Sequence, residues 1–282
     1  MSDFINAVIQ HPFMQHALLG GILSSVACGI MGTYVVVRRI TYIAGGIAHC
    51  VLGGMGAALY LQKVHGWTFF HPLHGAVAAA LIAALIIGWV SIRARQREDT
   101  VIGALWAVGM ATGVLFITRT PGYNQDLMSY LFGNILMVTQ QDLWIVGGLD
   151  VLVVVMGVLF YNQFLAVCFD EEFARLRGLN VEAYYLLLLC LTALTVVLLI
   201  SIVGIVLVIA LLTLPVAIAG HFSKRLWQMM LVSAGLSIVF TTAGLAISYG
   251  PDLPAGATTI VLAGAAYLAV ATAKRVFWPR SQ

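Results

Sequence analysis

Hydrophobic residues along this chain form long runs, and short polar stretches separate one run from the next. A helix that spans the hydrocarbon core of a bilayer needs about 20 predominantly apolar residues, and nine runs approach that length. The pattern therefore predicts an all-α, polytopic membrane protein with about nine transmembrane helices. The predicted spans lie near residues 15–37, 43–62, 74–92, 100–118, 142–161, 183–200, 202–220, 228–248 and 256–273.

The apolar stretch 183–220 leaves the helix count at eight or nine, because it is too long for one span and barely long enough for two. Charge favours dividing it at Ser201 to Gly204. Lysine and arginine collect in cytoplasmic loops, so an even number of spans must separate neighbouring basic clusters, and two spans between Arg177 and Lys224 satisfy that condition. The N-terminus is then outside and the C-terminus is cytoplasmic. The cytoplasmic clusters lie at residues 38–39, 93–97, 175–177, 224–225 and 274–280, and of the 14 basic residues only Lys63 and Arg119 fall outside.

Composition supports a membrane protein and disfavours several other classes. The 282 residues are 61% hydrophobic and 9% charged, whereas soluble domains carry roughly 25% charged residues. We therefore predict one transmembrane domain over residues 1–282, with the lipid bilayer as its main partner. The net charge of +3 is too small to argue for nucleic acid, and the four cysteines lie in or beside apolar runs without CxxC spacing, which disfavours a disulfide framework. The first residues lack a basic region, so the first apolar run is predicted to be a retained helix and not a signal peptide.

Motifs for catalysis and nucleotide binding are missing from the chain. It contains no GxxxxGK[ST] phosphate loop, no HExxH metal motif and no GxSxG nucleophile motif with suitable partners. The sequence therefore predicts neither an enzyme nor a tightly bound cofactor. Active transport through such a chain would draw its energy from a partner ATPase or from an ion gradient.

Two ionisable residues lie deep inside predicted spans, where charge is costly and functional residues concentrate. His49 follows Arg39 by ten residues, which places it about 15 Å into the second span, near the midplane where transporters hold their substrates. A neutral imidazole suits zinc and neighbouring transition metals, and the alternative is a hydrogen bond to a neighbouring helix. Asp150, eight residues into the fifth span, either helps to line a transport path or makes a structural polar contact.

The second span also carries a glycine face. At helical spacing, Gly46, His49, Gly53 and Gly56 lie on one side of the helix, where glycine lets a neighbouring backbone approach closely. We therefore predict tight helix packing along this face. A close-packed face that also holds a deep histidine is consistent with a gate or a substrate channel.

Two outer segments each admit two interpretations. The loop after the second span contains His65, His71 and His74, and histidine is the commonest metal ligand, yet the spacing matches no closed zinc pattern. His71 and His74 therefore either capture metal or are polar residues at the membrane interface. Residues 128–138 are apolar but too few for a span, and they form either a re-entrant segment or a surface helix.

A polar stretch, FDEEFARLRGLNVEAYY (169–185), follows the fifth span on the predicted cytoplasmic side. Acidic residues at 170–172 precede Arg175 and Arg177, an order that complements a helix dipole, and Gly178 is typical of a C-terminal stop. We predict a short amphipathic helix near 170–178. This helix either lies on the membrane surface or docks into a partner that transmits motion.

Five stretches of the chain resemble the permeases of metal-type ABC importers, the ABC-3 family that imports zinc and manganese. The resemblance covers about residues 15–272 and implies a homodimer in the bacterial cytoplasmic (inner) membrane. It also implies two cytoplasmic ATP-binding subunits, which hydrolyse the ATP, and a periplasmic or extracellular metal-binding protein that delivers the ion. The stretches are YVVVRRITYIAGGIAH (34–49), YNQDLMSYLFGNIL (123–136), FDEEFARLRGLN (169–180), VVLLISIVGIVLVIALLTLPVAIA (196–219) and DLPAGATTIVLAGAAYL (252–268).

The same resemblance implies which residues couple the permease to its ATPase. The segment 169–180 corresponds to the family's coupling helix, which seats in the ATP-binding subunit. The coupling residues expected on it are Glu171, Glu172, Arg175 and Gly178.

For the metal path, the resemblance points to the second span. In the family an Asp and a His four residues apart are thought to contact the metal, and His49 matches that His, whereas Gly45 occupies the Asp position. The missing carboxylate either favours the softer zinc as the transported ion, with manganese next and iron left open, or means that the ion passes without strong coordination. Two rivals remain: a gradient-driven secondary metal transporter, which would need more intramembrane carboxylates than Asp150, and an ABC permease for a metal chelate, which would need a wider apolar cavity.

Overall fold

The computed structural model describes residues 2–67, 69, 71–93, 98–121, 133, 138–251 and 253–277. All regular secondary structure in these residues is helical. The helices are α1 (Ser2–Gln10), α2 (Pro12–Val37), α3 (Thr41–His65), α4 (Pro72–Arg93), α5 (Glu98–Thr118), α6 (Gln140–Leu159), α7 (Tyr161–Phe169), α8 (Glu171–Leu176), α9 (Val181–Val203), α10 (Ile205–Phe222), α11 (Leu226–Tyr249) and α12 (Ala255–Phe277).

Within these ranges, nine helices are long and apolar enough to cross a membrane, which confirms the predicted all-α polytopic fold. The predicted break in the long apolar stretch falls at Gly204, between α9 and α10. Gly204 has φ 81° and ψ 161°, a backbone conformation essentially restricted to glycine, so one residue ends one span and starts the next. Of the ambiguous segment 128–138, all but Gly133 and Val138 lie outside the described residues.

The chain divides into two compact units, and each is assembled from separate segments. Unit 1 comprises Met1–Val36, Met128–Val155 and Ser201–Gln282, and unit 2 comprises Val37–Leu127 and Met156–Ile200. The single transmembrane domain over residues 1–282 stays a prediction. For function, the division matters because His49 and α8 belong to unit 2, whereas Asp150 belongs to unit 1.

In unit 2, glycines bring α3 into close contact with α5. A Cβ added at Gly53 would lie 2.8 Å from the carbonyl oxygen of Gly109, and one added at Gly56 would lie 2.8 Å from that of Gly113. No side chain larger than hydrogen fits at such distances, so these backbones pack directly. Gly53 faces Gly109 and Gly56 faces Gly113. Because the residue numbers increase along both helices in the same order, α3 and α5 run in the same direction. The close packing predicted for the glycine face is confirmed, and the neighbour is α5.

In unit 1, hydroxyl groups and small residues join α2 to α11. The hydroxyl oxygens of Ser25 and Thr241 are 3.3 Å apart, and the Ser233 hydroxyl donates to the carbonyl oxygen of Gly29 at 3.0 Å. A Cβ at Gly29 would lie 2.6 Å from the Cβ of Ala234. Small and hydroxyl-bearing residues are the usual means of packing helices in a membrane. The contact with α11 holds α2 in place, and Asp150 of α6 lies beside α2.

Candidate functional site

The imidazole of His49 stacks on the indole of Trp106, a residue of α5. The ring centroids are 4.2 Å apart and the ring planes are inclined by 9°, while the indole N–H donates to the sulfur of Met110 at 3.3 Å. Nδ1 of His49 is buried and has no hydrogen-bond partner among the described residues. Such a nitrogen usually signals water or a bound ion. Stacking therefore fixes the plane of a ring that keeps unused capacity to bind a ligand.

Gly45 lies one helical turn before His49 and leaves space open beside it. A Cβ built at Gly45 meets no described atom within 4 Å, although the residue is buried. At Gly46, by contrast, a Cβ would lie 2.6 Å from the side chain of Ile102. Residues four apart share a helix face, so the position where the resembling family carries a carboxylate is accessible space and not a packing contact.

Asp150 is a buried carboxyl group in α6, 6% exposed. It lies beside Ala27 and Cys28 of α2 in the same unit, and apart from a loose contact with the Ala27 backbone its oxygens have no hydrogen-bond partner among the described residues. Burying an isolated carboxylate is very costly. Such a group therefore holds a proton, or pairs with a cation or with water. Asp150 belongs to unit 1, whereas His49 belongs to unit 2.

The outer histidines of unit 2 offer few metal ligands. The rings of His71 and His74 are 6.2 Å apart, centroid to centroid. Nδ1 of His74 lies 3.2 Å from the Phe69 carbonyl oxygen, which requires a proton on Nδ1 and leaves Nε2 with a lone pair. The backbone N–H of Leu73 donates to Nδ1 of His71 at 3.4 Å and occupies that lone pair. No group of three or more His, Cys, Asp or Glu side chains suited to a metal occurs in the described part of the chain, so metal capture here stays a prediction.

Both ends of α8 are determined by its own sequence. The Asp170 carboxylate accepts a hydrogen bond from the backbone N–H of Phe173 at 2.9 Å and caps the N-terminus. At the other end Gly178 has φ 77°, and the N–H of Leu179 donates to the Ala174 carbonyl oxygen at 3.1 Å. These are the features of a glycine-terminated Schellman motif. The short helix with a stop at Gly178 thus lies where the sequence predicts it.

Large apolar side chains at the end of α7 and on the outer side of α8 are exposed. Phe169, Phe173 and Leu176 are 67%, 48% and 88% exposed, whereas Ala174 is fully buried. A cavity of about 530 Å³ opens between α7 and α8, and Phe169, Phe173 and Arg177 are among its lining residues. Exposed apolar groups of this kind are typical of a surface that binds another protein or the membrane.

The charged residues of α8 divide into two sets. Glu171 forms an ion pair with Arg38, and the guanidinium carbon of Arg38 lies 5.3 Å from the centroid of the Tyr185 ring. Glu172 and Arg175 are exposed and make no ion pair with any described residue. Of the predicted coupling residues, Glu171 is therefore engaged within unit 2, while Glu172 and Arg175 are accessible to a partner.

Sequence reasoning missed Trp106 as a neighbour of the candidate site. The sequence does contain a signal for it. On α3 a ring residue, His49, is followed by Gly53 and Gly56 at helical spacing, and on α5 Trp106 is followed in the same way by Gly109 and Gly113. Two helices with matching small-residue faces are candidates for direct packing. Pairing those faces would have placed an aromatic ring opposite His49.

Within the part of the chain that the structure describes, nine helices long and apolar enough to cross a bilayer define a multi-pass membrane protein. The chain belongs to the ABC 3 transport family, whose model matches residues 10–274. The resemblance inferred from the sequence is confirmed: the protein is a membrane permease subunit of a metal-type ABC transporter, a class of subunit that is not an enzyme.

Relatives and a solved structure match the chain over most of its length. A probable metal transport system membrane protein of Chlamydia pneumoniae is 44% identical, over 93% of this chain and 89% of that protein. A manganese transport system membrane protein of Halalkalibacterium halodurans is 34% identical, over 93% of this chain and 88% of that one. A chain of PsaBC from Streptococcus pneumoniae, solved in complex with Fab, superposes with a TM-score of 0.84 at 29% identity and covers 95% of this chain and 94% of its own length.

Proposed function

We propose that this chain imports a divalent transition metal across the bacterial cytoplasmic (inner) membrane by ATP-driven alternating access. Two copies form the membrane path, two cytoplasmic ATP-binding subunits supply the energy, and a periplasmic or extracellular metal-binding protein delivers the ion. Family membership over residues 10–274 and relatives named as metal transport proteins support this proposal.

His49 is the residue that carries the proposal. Its Nδ1 is buried without a described partner, its plane is held by Trp106, and the adjoining position, Gly45, is open. An ion entering that space meets an imidazole already oriented by stacking. A site with few protein ligands binds the ion with low affinity. Low affinity suits transport, because a tightly held ion does not leave the site.

Two metals are supported by different observations. Zinc is the first candidate, because an imidazole without a neighbouring carboxylate is a softer site, and harder oxygen ligands suit manganese better. Manganese is the second candidate, because the relative from Halalkalibacterium halodurans is named as a manganese transport protein.

Asp150 is the second residue that we propose for the path. Asp150 is 6% exposed, and no side chain among the described residues hydrogen-bonds to it. Burying such a carboxyl group costs more free energy than burying one that structural hydrogen bonds satisfy. A passing cation would supply the missing partner. The proposal therefore gives Asp150 a role in unit 1 that is separate from that of His49 in unit 2.

We propose further that α8 docks into the ATP-binding subunit. Its exposed apolar side chains, Phe173 and Leu176, would enter the partner, and the accessible charges of Glu172 and Arg175 would set the orientation. The cavity beside α7 would receive a side chain of the ATPase in return.

Metal accumulation in a strain that lacks this gene tests the function. Cells starved in turn of zinc, manganese and iron should show a selective zinc defect, which the intact gene restores and the His49→Ala variant does not. His11→Ala, which removes an exposed histidine, serves as the matched control and should restore uptake.

Each other outcome assigns the function differently. A selective manganese defect would support the assignment as a metal importer, with manganese and not zinc as the transported ion. Full restoration by His49→Ala would remove His49 from the path. Normal accumulation of all three metals in the deletion strain would contradict the metal importer.

A further inference from the structure

The link between α2 and α3 consists of Arg38, Arg39 and Ile40, and it is held in one conformation. Arg39 has φ 63°, a left-handed backbone that is unfavourable for a residue with a Cβ and persists only where its surroundings enforce it. Ile40 is 7% exposed, and its carbonyl oxygen accepts the N–H of Ile43 at 3.0 Å. A displacement of this link is therefore passed directly to the first turn of α3.

Arg38 connects this link to the cytoplasmic helices of unit 2. It pairs with Glu171 at the start of α8 and lies over the ring of Tyr185 on α9. The Tyr185 hydroxyl in turn accepts a hydrogen bond from Ser91 of α4 at 3.3 Å. Burial raises the pKa of the Cys168 thiol in α7 to about 12, and the nearby positive charge of Arg38 acts in the opposite direction, so that charge also reaches α7.

The ion pair between Arg38 and Glu171 is partly shielded from solvent. The two side chains are only 24% and 37% exposed, so water and salt screen them less than fully exposed charges. Nε of Arg38 is buried and has no described hydrogen-bond partner, so Glu171 and the Tyr185 ring are the groups that hold the guanidinium. Removing either member leaves the other partly buried and unpaired.

We propose that Arg38 is the positioning residue that transmits a displacement of α8 to α3 and thereby moves His49. The inference rests on the proposed function and adds to it the route by which the ATPase reaches the metal path. From Thr41 to His49 the rise is about 12 Å along one helix, and a helix packed against α5 through glycine contacts moves as a rigid body. On this view Glu171 acts by holding Arg38, and not by contacting the ATPase.

The purified complex of this chain with its ATP-binding subunit, reconstituted in liposomes and supplied with the metal-binding protein that delivers the ion, tests the route. Arg38→Gln and Glu171→Gln should each keep the ATPase bound and hydrolysing ATP while lowering ATP-driven zinc uptake by at least about threefold. The double variant Arg38→Glu with Glu171→Arg should recover part of the uptake. Arg39→Asn removes the neighbouring charge with a residue that tolerates a left-handed backbone, and it should behave as the wild type.

Three results would overturn the inference. Wild-type uptake by Arg38→Gln would show that the pair transmits nothing, and loss of the ATPase from this variant would assign the pair to docking. If Arg38→Gln does not assemble, Glu171→Gln removes the same ion pair from the other side, and unchanged uptake by that variant contradicts the route. Absence of ATP-driven uptake of zinc, manganese or iron by the wild type would instead reject the proposed function, and this inference with it.

Discussion

At the scale of single residues, Trp106 determines how His49 presents its ring. Aromatic stacking contributes about 0.5–1.5 kcal/mol beyond burial, so Trp106→Ala should raise the zinc concentration at half-maximal uptake roughly twofold to tenfold. Trp106→Phe keeps a stacking ring and should lie between Trp106→Ala and the wild type. Trp144→Ala, which removes an indole that is 76% exposed, is the control. Equal zinc dependence for Trp106→Ala and the control would show that stacking does not position the histidine.

Gly45 is the residue at which metal preference is testable. Because a Cβ there meets no described atom within 4 Å, Gly45→Asp should be accommodated and should add a carboxylate one turn from His49. Hard oxygen ligands favour manganese, so the ratio of manganese to zinc uptake should rise several-fold. Gly45→Ala adds the Cβ without the ligand and should leave the ratio unchanged. An unaltered ratio in Gly45→Asp, with the protein still in the membrane, would place the transported ion elsewhere.

At the scale of helices, the glycines of α3 serve different purposes, and stability measurements separate them. Gly53→Ala places a Cβ 2.8 Å from a backbone oxygen of α5, so it should destabilise the protein by about 1–3 kcal/mol through overpacking. Gly45→Ala should stabilise it by up to about 1 kcal/mol, because alanine is the better helix former and the space is open. Thermal unfolding in detergent measures both. A lower midpoint for both variants would show that position 45 is also a packing contact.

The short helix α8 depends on its terminal glycine. Gly178 has φ 77°, so Gly178→Ala should cost about 1–2 kcal/mol of local stability, fray the helix and weaken retention of the ATP-binding subunit during purification. Gly178→Asn is the matched control, since asparagine tolerates the left-handed region, and it should retain the subunit better. Equal retention by the two variants would show that the backbone geometry of this helix is irrelevant to docking.

Individual helices followed from the sequence because their signals are local. Apolar run length predicted the nine long helices, and the acid-to-base order followed by glycine predicted α8. The stacking of Trp106 on His49 and the pairing of Arg38 with Glu171 join residues 57 and 133 positions apart, and no local pattern encodes which partner a side chain finds. The coupling role of Glu171, which the family resemblance implies, stays a prediction, and its ion pair with Arg38 is a contact that no local pattern predicts.

At the scale of the whole molecule, the energy source follows from where the carboxyl groups lie. Among the described spans, Asp150 is the only carboxyl group far from a helix end, and a proton-coupled carrier needs a relay of such groups. Uptake into liposomes that contain this chain and its ATP-binding subunit, supplied with the metal-binding protein, should therefore require ATP and persist when an uncoupler collapses the proton gradient. Uptake by this chain alone, abolished by the uncoupler and by Asp150→Asn, would establish a secondary transporter instead. Uptake that requires ATP and survives the uncoupler, but fails in Asp150→Asn, would assign the carboxyl group to the cation path of an ATP-driven permease.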